Sequence, residues 1–306
     1  MGKAPLRFVL LCDSVDLDSW QANCVLEAIG HGVAEMVGIV VRAPKVKPSS
    51  KSSWRNRWAR RDLILWRLFN RLYVDRSSRA VTPKSIRPDE DIPVFSDQPI
   101  PVGRFSESLS AGAMEFVNKS QPDFILRFGF GILTGEVINC SKFGVWSYHH
   151  GDPSEFRGQP PGFWEIMNGA PTAGVVLQVI GNELDAGGIL HSGHFQVTPQ
   201  SYARTRDTLY LGAASWVRRA CANIIENGWL APEPLNPETY GPVFKEPKNR
   251  DMLKYFGITM RSFLKVQSKY KLHRQRWNCA VVAAPIQQVA GLEGPERQRS
   301  ALARRS

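Results

Sequence analysis

Short apolar runs alternate with amphipathic stretches over the first part of the chain. Residues 6–13 and 35–42 are apolar runs of strand length, and residues 20–31 between them repeat their apolar positions with the period of a helix. A strand, a helix and a second strand in succession predict two parallel strands with the helix packed on the sheet. A short strand is expected at residues 92–95 and a further buried strand at residues 123–128. The pattern therefore predicts an α/β fold with a mostly parallel sheet and helices on both faces.

The rest of the chain adds longer elements to this pattern. In chain order we expect a helix at residues 105–119, a glycine-broken loop at 128–134, a strand at 144–148, two hairpin strands at 173–181 and 188–197 around a turn at 182–187, and a long amphipathic helix at 204–227. Gly228 is the expected cap of that last helix. Beyond residue 242 the composition becomes basic and less periodic, which places a domain boundary near Tyr240.

Composition restricts the class of protein and directs attention to where the charges lie. Of 306 residues, 43% are hydrophobic and 22% charged, and no apolar run approaches the roughly 18 residues of a membrane span. Transmembrane, collagen-like and wholly disordered chains are thereby excluded. The net charge is +11, but residues 42–80 hold twelve Lys or Arg against two Asp, and residues 245–276 hold ten against two acidic residues. The remaining chain is acidic overall, so the basic total does not by itself indicate nucleic-acid binding.

The cysteines and the N-terminus indicate a reducing compartment. The five cysteines are odd in number and scattered and contain no C-x-x-C pair, which argues against a disulfide framework and a structural zinc site. The apolar run at residues 8–11 is too short for a signal peptide. We expect a cytoplasmic protein, with a membrane-peripheral location as the alternative, and no bound metal.

Polar residues cluster where two of the predicted strands end. Ligands of open α/β sheets bind outside the carboxyl ends of the strands, and the strand at residues 144–148 leads into Ser147, His149, His150, Asp152 and Arg157. The hairpin turn supplies Glu183, Asp185, Gly187 and Gly188. Each group also has a structural interpretation, as a surface histidine pair before a loop and as an Asp-Gly turn that closes a hairpin.

Two motifs in these places resemble those of the folate-dependent formyltransferases. The run WSYHHGDPSEFRG at residues 146–158 resembles the family pattern N-x-H-P-S-L-L-P-x-Y-R-G, with His149 at its histidine. The run LDAGG at residues 184–188 resembles L-D-x-G, and its Asp185 follows His149 by 36 residues. Residues 172–175 match a T-G-V strand entry, and residues 128–134 stand where the family has its A-Y-G-x-I-L loop. The similarity extends in order over about residues 5–228.

The resemblance implies a fold and a domain organisation. It implies a three-layer Rossmann-like formyltransferase fold within a catalytic domain at residues 1–240, which would carry a basic helical insertion at residues 43–80. Residues 241–306 would form a basic, partly disordered C-terminal extension.

The resemblance also implies a reaction, the transfer of a formyl group from 10-formyltetrahydrofolate to an amine. In that reaction His149 would be the general base, Asp185 its partner, and Ser147 would stand at the oxyanion donor. The residues expected at the folate are Phe128, Gly129, Gly131, Ile132, Leu133, Ile180 and Glu183. Those expected at the acceptor are His150, Asp152 and Arg157.

Ser147 departs from the family pattern, which has Asn at this position. A serine offers one O–H donor on a shorter arm than the amide, and loss of one oxyanion donor typically lowers the rate about 100- to 1,000-fold. Three explanations stay open: another donor such as His150 replaces the amide, the reaction or its acceptor differs, or the domain only binds. Residues 150–154 also differ from P-S-L-L-P, which leaves the acceptor open.

The expected acceptor is a small-molecule amine, on an amino sugar or sugar nucleotide. The run PPGFWE at residues 160–165, together with HHGD, resembles a divergent bacterial branch of formyltransferase-like proteins connected with glycan or glycolipid synthesis; structurally, the run is expected to anchor a helix. One alternative is a methionyl-tRNA formyltransferase relative. We favour it less, because only 121 residues follow Asp185. The other is a protein of this fold without catalysis in membrane-associated glycan or glycolipid synthesis.

The basic insertion could serve either alternative. Trp54, Trp58, Leu65, Phe69 and Leu72 recur at helical spacing among arginines within residues 54–74. Such a helix can pack its apolar face on the core, lie on an anionic membrane surface, or approach RNA phosphates. Nucleic acid is the less favoured partner. Residues 245–276 are expected to be helical and exposed, and His191 and His194 to be structural or exposed.

Overall fold

The computed structural model describes residues 3–44, 61–86, 91–103, 106–181, 188–229, 231–232 and 239–278. Contacts divide the chain into a unit at residues 1–260 and a second at residues 261–306. The domain boundary near Tyr240 stays a prediction.

One sheet of seven strands organises the first unit. Its strands are β1 Leu6–Cys12, β2 Ala34–Arg42, β3 Val94–Asp97, β4 Phe124–Arg127, β5 Val145–His150, β6 Thr172–Val179 and β7 Ile189–Gln196. The spatial order is β7-β6-β5-β4-β1-β2-β3, in which β6 pairs antiparallel with both β5 and β7 and the other neighbours pair in parallel. The predicted mostly parallel α/β sheet is confirmed, as is the antiparallel β6–β7 hairpin, whose turn at residues 182–187 lies outside the described residues.

Helices and short strands complete the fold. The helices are α1 Ser19–Gly30, α2 Ile64–Phe69, α3 Asp75–Ser77, α4 Ala111–Ser120, α5 Phe163–Asn168, α6 Tyr202–Gly212, α7 Trp216–Asn227 and α8 Asn249–Asn278, with 3-10 turns at Arg61–Leu63 and Glu136–Asn139 and a π turn at Asn70–Val74. The short strands are Asp16–Asp18 with Pro83–Ser85, Ile100–Val102 with Ser106–Ser108 and Ile132–Leu133, and Arg157–Gly158 with Val243–Phe244. Among the helices that the structure describes, none is long and apolar enough to cross a membrane.

The sheet separates two apolar cores. Side chains of β1 alternate between them: Phe8 and Leu10 belong to the core beneath α1, α6 and α7, and Val9 and Leu11 to the core beneath α4. Helices therefore cover both faces, and the three-layer arrangement that the sequence predicted is confirmed.

Two predicted helices are wrong in extent. The helix expected at 204–227 is two helices, α6 ending at Gly212 and α7 beginning at Trp216. The Ala213 carbonyl between them accepts from the Tyr148 hydroxyl at 2.9 Å and from the Trp216 amide at 3.0 Å. The helix expected at 105–119 begins at Ala111, where Ser110 caps it by accepting from the Ala113 amide at 3.2 Å. Gly228 ends α7 with a positive φ, as predicted.

The described part of the basic insertion packs on the core. Trp66 is 5% exposed, and its ring lies 5.3 Å from Phe163 and 5.5 Å from Tyr202, centroid to centroid. Packing of the apolar face on the core is therefore confirmed for residues 61–77, while Trp54 and Trp58 lie outside the described residues. Leu65 and Phe69 pack against the same core, and Leu72 is exposed.

The C-terminal helix is helical as expected but is not exposed throughout. Met252 and Tyr255 in its first turns are buried in the same core, and the Tyr255 hydroxyl accepts a 3.0 Å hydrogen bond from the amide of Tyr202. The expected exposure is wrong for this part of α8, because its first turns join the core of the first unit.

Candidate functional site

Two histidines end β5 and point to opposite faces of the sheet. Successive side chains of a strand alternate, and in β5 Val145 belongs to the core beneath α4 whereas Trp146 belongs to the core beneath α1. Ser147 and His149 consequently share the α4 side, and His150 shares the α1 side with Trp146. The expectation that both histidines follow the strand is wrong, since β5 runs through His150.

His150 is enclosed by aromatic side chains. Its ring stacks on Tyr210 with centroids 3.7 Å apart and planes 4° apart, and meets the Trp20 ring edge-on at 4.9 Å. Its Nε2 is buried and has no hydrogen-bond partner among the described residues. Burial, and secondarily the charge of His149, lower the pKa of His150 to about 3. His150 is therefore a neutral, half-buried group on the opposite face of the sheet from Ser147, so the explanation that it replaces a donor at Ser147 is wrong. Nothing in this placement supports its expected contact with the acceptor.

Ser147 is held by an arginine that the sequence did not single out. Its side chain is 4% exposed, and its Oγ accepts a 2.9 Å hydrogen bond from Nη1 of Arg127, the residue opposite it on β4. Nη2 of Arg127 donates to the carbonyls of Phe130 at 2.8 Å and Gly131 at 2.6 Å. Burial lowers the pKa of Arg127. The sequence feature that could have identified Arg127 is the presence of an arginine at the end of an otherwise apolar strand.

The loop that follows β4 is fixed by charged side chains from three elements. Phe130 takes a positive φ of 65°, and its amide donates to Asp13 at 3.2 Å. The Gly131 amide donates to Glu107. Arg42 bridges these carboxylates, with Nε 2.8 Å from Asp13 Oδ1 and a second ion pair to Glu107, and its guanidinium lies 4.6 Å from the Phe130 ring centroid. The loop backbone is therefore held in one conformation.

Close approach explains the first glycine of this loop. A Cβ at Gly129 would lie 2.7 Å from the backbone nitrogen of Asp13, so a larger residue would displace the loop. Asp13, which directly follows β1, could have been found by the same strand-end rule that selected Ser147 and His149. Arg42 and Glu107 carry no such signal, since only tertiary structure brings them here.

The residues expected at a folate divide between the two faces of the sheet. Phe128 packs on Trp20 in the core beneath α1, with centroids 5.1 Å apart, whereas Leu133 is buried in the core beneath α4 and Ile132 is 37% exposed. The Ile180 amide donates to the Val145 carbonyl at 2.7 Å, which places Ile180 next to β5. Glu183, like Asp185, lies outside the described residues.

The exposed part of the loop fits an apolar ring of a reduced folate. Ile132 offers exposed apolar surface for a ring, and the buried Nε of Arg127 has no hydrogen-bond partner among the described residues.

Asp152 lies on the other side of His149 and forms an ion pair. Its Oδ2 is 2.8 Å from Nε2 of His194, and its Oδ1 accepts from the Ser154 amide at 2.8 Å and from the Ser154 hydroxyl at 2.5 Å. Burial opposes ionisation of Asp152, but the hydrogen bonds from Ser154 and His194 outweigh it and lower its pKa. A Cβ at Gly174 would lie 2.9 Å from the Asp152 Cβ, which explains the glycine.

A cavity of about 230 Å³ opens beside this pair, lined by Asp152, Pro153, Ser154, Gly174, Val175, Val176, Ile189, Ser192, Gly193, His194 and Thr239. It adjoins the site strand, because Val176 lies directly opposite His149 in the sheet. His194 is partly exposed, as expected, but its pairing with Asp152 was not foreseen. His191 stacks on Trp216 at 4.7 Å, a structural role.

The remaining motif residues contact the C-terminal segment and the core. The Arg157 guanidinium lies 4.5 Å from the Tyr240 ring centroid, and Arg157–Gly158 pairs with Val243–Phe244. Phe163 is fully buried, so the expected aromatic anchor at residues 160–165 is confirmed. Glu165 beside it was not foreseen: it is 1% exposed, and burial raises its pKa to about 7.

Comparison with known proteins agrees with the motifs. No family model matches the chain. The chain is 28% identical over 167 residues to a methionyl-tRNA formyltransferase of Clostridium perfringens, which covers 53% of this chain and 52% of the relative. It is 26% identical over 174 residues to the Bacillus subtilis protein of the same name, over 55% of this chain and 52% of the relative. The chain is a relative of the folate-dependent formyltransferases. It spans about half the length of the curated relatives it matches.

Solved structures of formyltransferase-like proteins overlap with most of the chain at low identity. A formyltetrahydrofolate deformylase from Pseudomonas syringae is 15% identical with a TM-score of 0.49, over 76% of this chain and 66% of that one. An N-formyltransferase from Helicobacter canadensis, in complex with folinic acid and dTDP-3-aminofucose, is 13% identical with a TM-score of 0.44, over 79% and 72%.

Proposed function

We propose that this chain is a formyltransferase that moves a formyl group from 10-formyltetrahydrofolate to an amine of a small molecule. Ser147 and His149 carry the proposal: they lie two residues apart on one face of β5, at its carboxyl end, beside a loop that Arg127 fixes. In this arrangement the hydroxyl can donate a hydrogen bond to the oxygen of a carbonyl group, and the imidazole can take a proton from the nucleophile that attacks the same group. The sequence relationship to formyltransferases supports the same reaction.

The roles of the residues follow from the bonds that change. The acceptor amine attacks the formyl carbon, and the electron pair of the C=O bond moves to oxygen, where the Ser147 hydroxyl stabilises it. His149 takes the proton that the amine sheds, and the imidazolium that forms is supported by Asp185. When the C=O bond forms again, the bond to the folate nitrogen breaks and that nitrogen takes up the proton that the His149 imidazolium gives back. The products are an N-formyl acceptor and tetrahydrofolate.

Separate surfaces on either side of His149 would hold donor and acceptor. The loop at residues 128–133, with Ile180 and Glu183, would contact the reduced folate. The cavity beside Asp152 would hold the acceptor: at about 230 Å³ it is smaller than the roughly 300–1,000 Å³ of sites for drug-sized ligands, and it suits one ring-sized group. Its carboxylate, imidazole and hydroxyl groups suit an amine and hydroxyls, so we propose an amino sugar or sugar nucleotide.

Two experiments test this function. Thermal unfolding is measured with and without 5-formyltetrahydrofolate, which should add about 2.7 kcal/mol to the free energy of unfolding at 100 times its dissociation constant. Nucleotide-linked amino sugars are then incubated with 10-formyltetrahydrofolate and enzyme, and mass spectrometry looks for one added formyl group. No stabilisation at millimolar ligand would contradict the folate site, and formylation of none of the sugars would contradict the acceptor class.

The names of the relatives favour a second candidate, formylation of methionyl-tRNA. This acceptor would require tRNA binding whose affinity falls steeply with salt. A filter-binding titration of tRNA at about 50 and 200 mM salt, followed by a formylation assay with methionyl-tRNA, separates it from the sugar acceptor.

A further inference from the structure

Arg127 is a cation at the centre of the candidate site whose hydrogen bonds reach no carboxylate. Among the described residues, its acceptors are the Ser147 hydroxyl and the carbonyls of Phe130 and Gly131. The nearby acids, Asp13 and Glu107, make their ion pairs with Arg42 instead. Taking a cation out of water is unfavourable when no anion pairs with it directly. A fold keeps such a group where its charge has a use.

The geometry places the charge of Arg127 next to the Ser147 hydroxyl. A hydroxyl that accepts a hydrogen bond from a cation becomes a stronger donor through its own O–H, because the bonds in a chain polarise one another. Ser147 accepts only from Arg127 among the described residues, so its proton is available to a further acceptor. His149, two positions along β5, faces the same side of the sheet.

We propose that Arg127 is a positioning residue that holds and polarises the Ser147 hydroxyl as the oxyanion donor of formyl transfer. This inference rests on the proposed function. The Ser147 O–H donates to the formyl oxygen as negative charge develops there and keeps its proton throughout. Arg127 does not touch the substrate in this role; it acts through Ser147.

The carbonyls of the loop determine where the guanidinium lies. Nη2 is occupied by Phe130 and Gly131, so Nη1 can reach only the position that Ser147 occupies. Loop and donor are therefore coupled, because a displaced loop would withdraw the cation from Ser147. A lysine at this position keeps the charge, but a single ammonium does not reproduce the planar fork.

The competing interpretation is that Arg127 only pins the loop. In that case its loss would weaken folate binding, and removal of the Ser147 hydroxyl would have an independent effect or none. A double-mutant cycle separates the two interpretations, since residues that act as one unit give strongly non-additive effects.

The cycle uses wild type, Arg127→Lys, Ser147→Ala and the double variant. The kcat for consumption of 10-formyltetrahydrofolate is measured with the best acceptor from the sugar screen and with water, and the Kd of 5-formyltetrahydrofolate is measured by calorimetry. We expect Ser147→Ala to lower kcat about 100-fold or more with Kd nearly unchanged, and the double variant to be no slower than the slower single variant. Arg127→Gln, which keeps two N–H donors without the charge, should also lose kcat and provides a second variant if Arg127→Lys does not fold.

Arg42→Lys is the matched control, because Arg42 pins the same loop through Asp13 and Glu107 without contacting Ser147. The effects of Arg42→Lys and Ser147→Ala on kcat should be additive when the two substitutions are combined. Additive effects of Arg127→Lys and Ser147→Ala, or wild-type kcat in Ser147→Ala, would overturn the inference alone. Wild type that binds the folate but consumes none would also overturn it, and wild type that neither binds nor reacts would overturn the proposed function as well.

Discussion

His150 makes the stability of the fold sensitive to acid. In the folded chain its ring lies between Tyr210 and Trp20, and burial with the nearby charge of His149 lowers its pKa to about 3. In the unfolded chain a histidine titrates near pH 6.5. Below about pH 6.5 the unfolded state therefore binds a proton that the folded state excludes, so stability falls with pH until about pH 3. At roughly 1.36 kcal/mol per pH unit, His150 costs about 2 kcal/mol at pH 5.

Urea unfolding of wild type and His150→Phe at pH 7.5 and pH 5 measures this cost. Phenylalanine keeps the stacked ring and removes the titration, and no hydrogen bond of Nε2 is lost because it has none among the described residues. Other groups, Glu165 among them, titrate in both proteins and cancel in the comparison. The variant should lose about 2 kcal/mol less than wild type between the two pH values. An equal loss in both proteins would refute the reasoning, since His150 would then titrate as an exposed histidine.

Three further outcomes follow from the structure. His149→Ala should lower kcat about 100- to 10,000-fold with an unchanged melting temperature; wild-type kcat would contradict its role as base. Glu165→Gln should be more stable than wild type at pH 8 by about 3 kcal/mol, because burial raises the pKa of Glu165 to about 7 and the wild type loses stability as pH rises from about 4.5 to 7; the difference should vanish near pH 4.5 in urea titrations. Trp66→Ala should cost about 3–5 kcal/mol by the same method, and a cost below about 1 kcal/mol would contradict its burial.

The parts of the fold that the sequence predicted are those that local pattern determines. The apolar runs of β1 and β2 and the two extended runs of β6 and β7 on either side of a turn each predict a strand from local sequence alone. The break between α6 and α7 was not predicted; the Ala213 carbonyl within it accepts a hydrogen bond from Tyr148, a tertiary contact that no local pattern indicates. The start of α4 was missed although Ser110 is a cap residue of ordinary type.

At the candidate site, the sequence motifs identified residues of β5 but not the side chains that contact them. Ser147 and His149 were selected from sequence, and alternation along β5 could have placed His150 on the opposite face. Arg127 was not selected although it is an arginine at the end of an apolar strand, and Glu107 was not selected because its role depends on contacts with segments distant in sequence. Asp185 stays a prediction, since it lies outside the described residues.

Transfer of an isotopically labelled formyl group tests the central claim most directly. 10-Formyltetrahydrofolate with a ¹³C-labelled formyl group is incubated with nucleotide-linked amino sugars and either wild type or His149→Ala, and mass spectrometry follows the label. The label should appear on the amine of an acceptor with wild type, and at least about 100-fold more slowly with the variant. Wild type that transfers no label above the protein-free background, or a variant that transfers it equally fast, would contradict the assignment of formyl transfer to this face of β5.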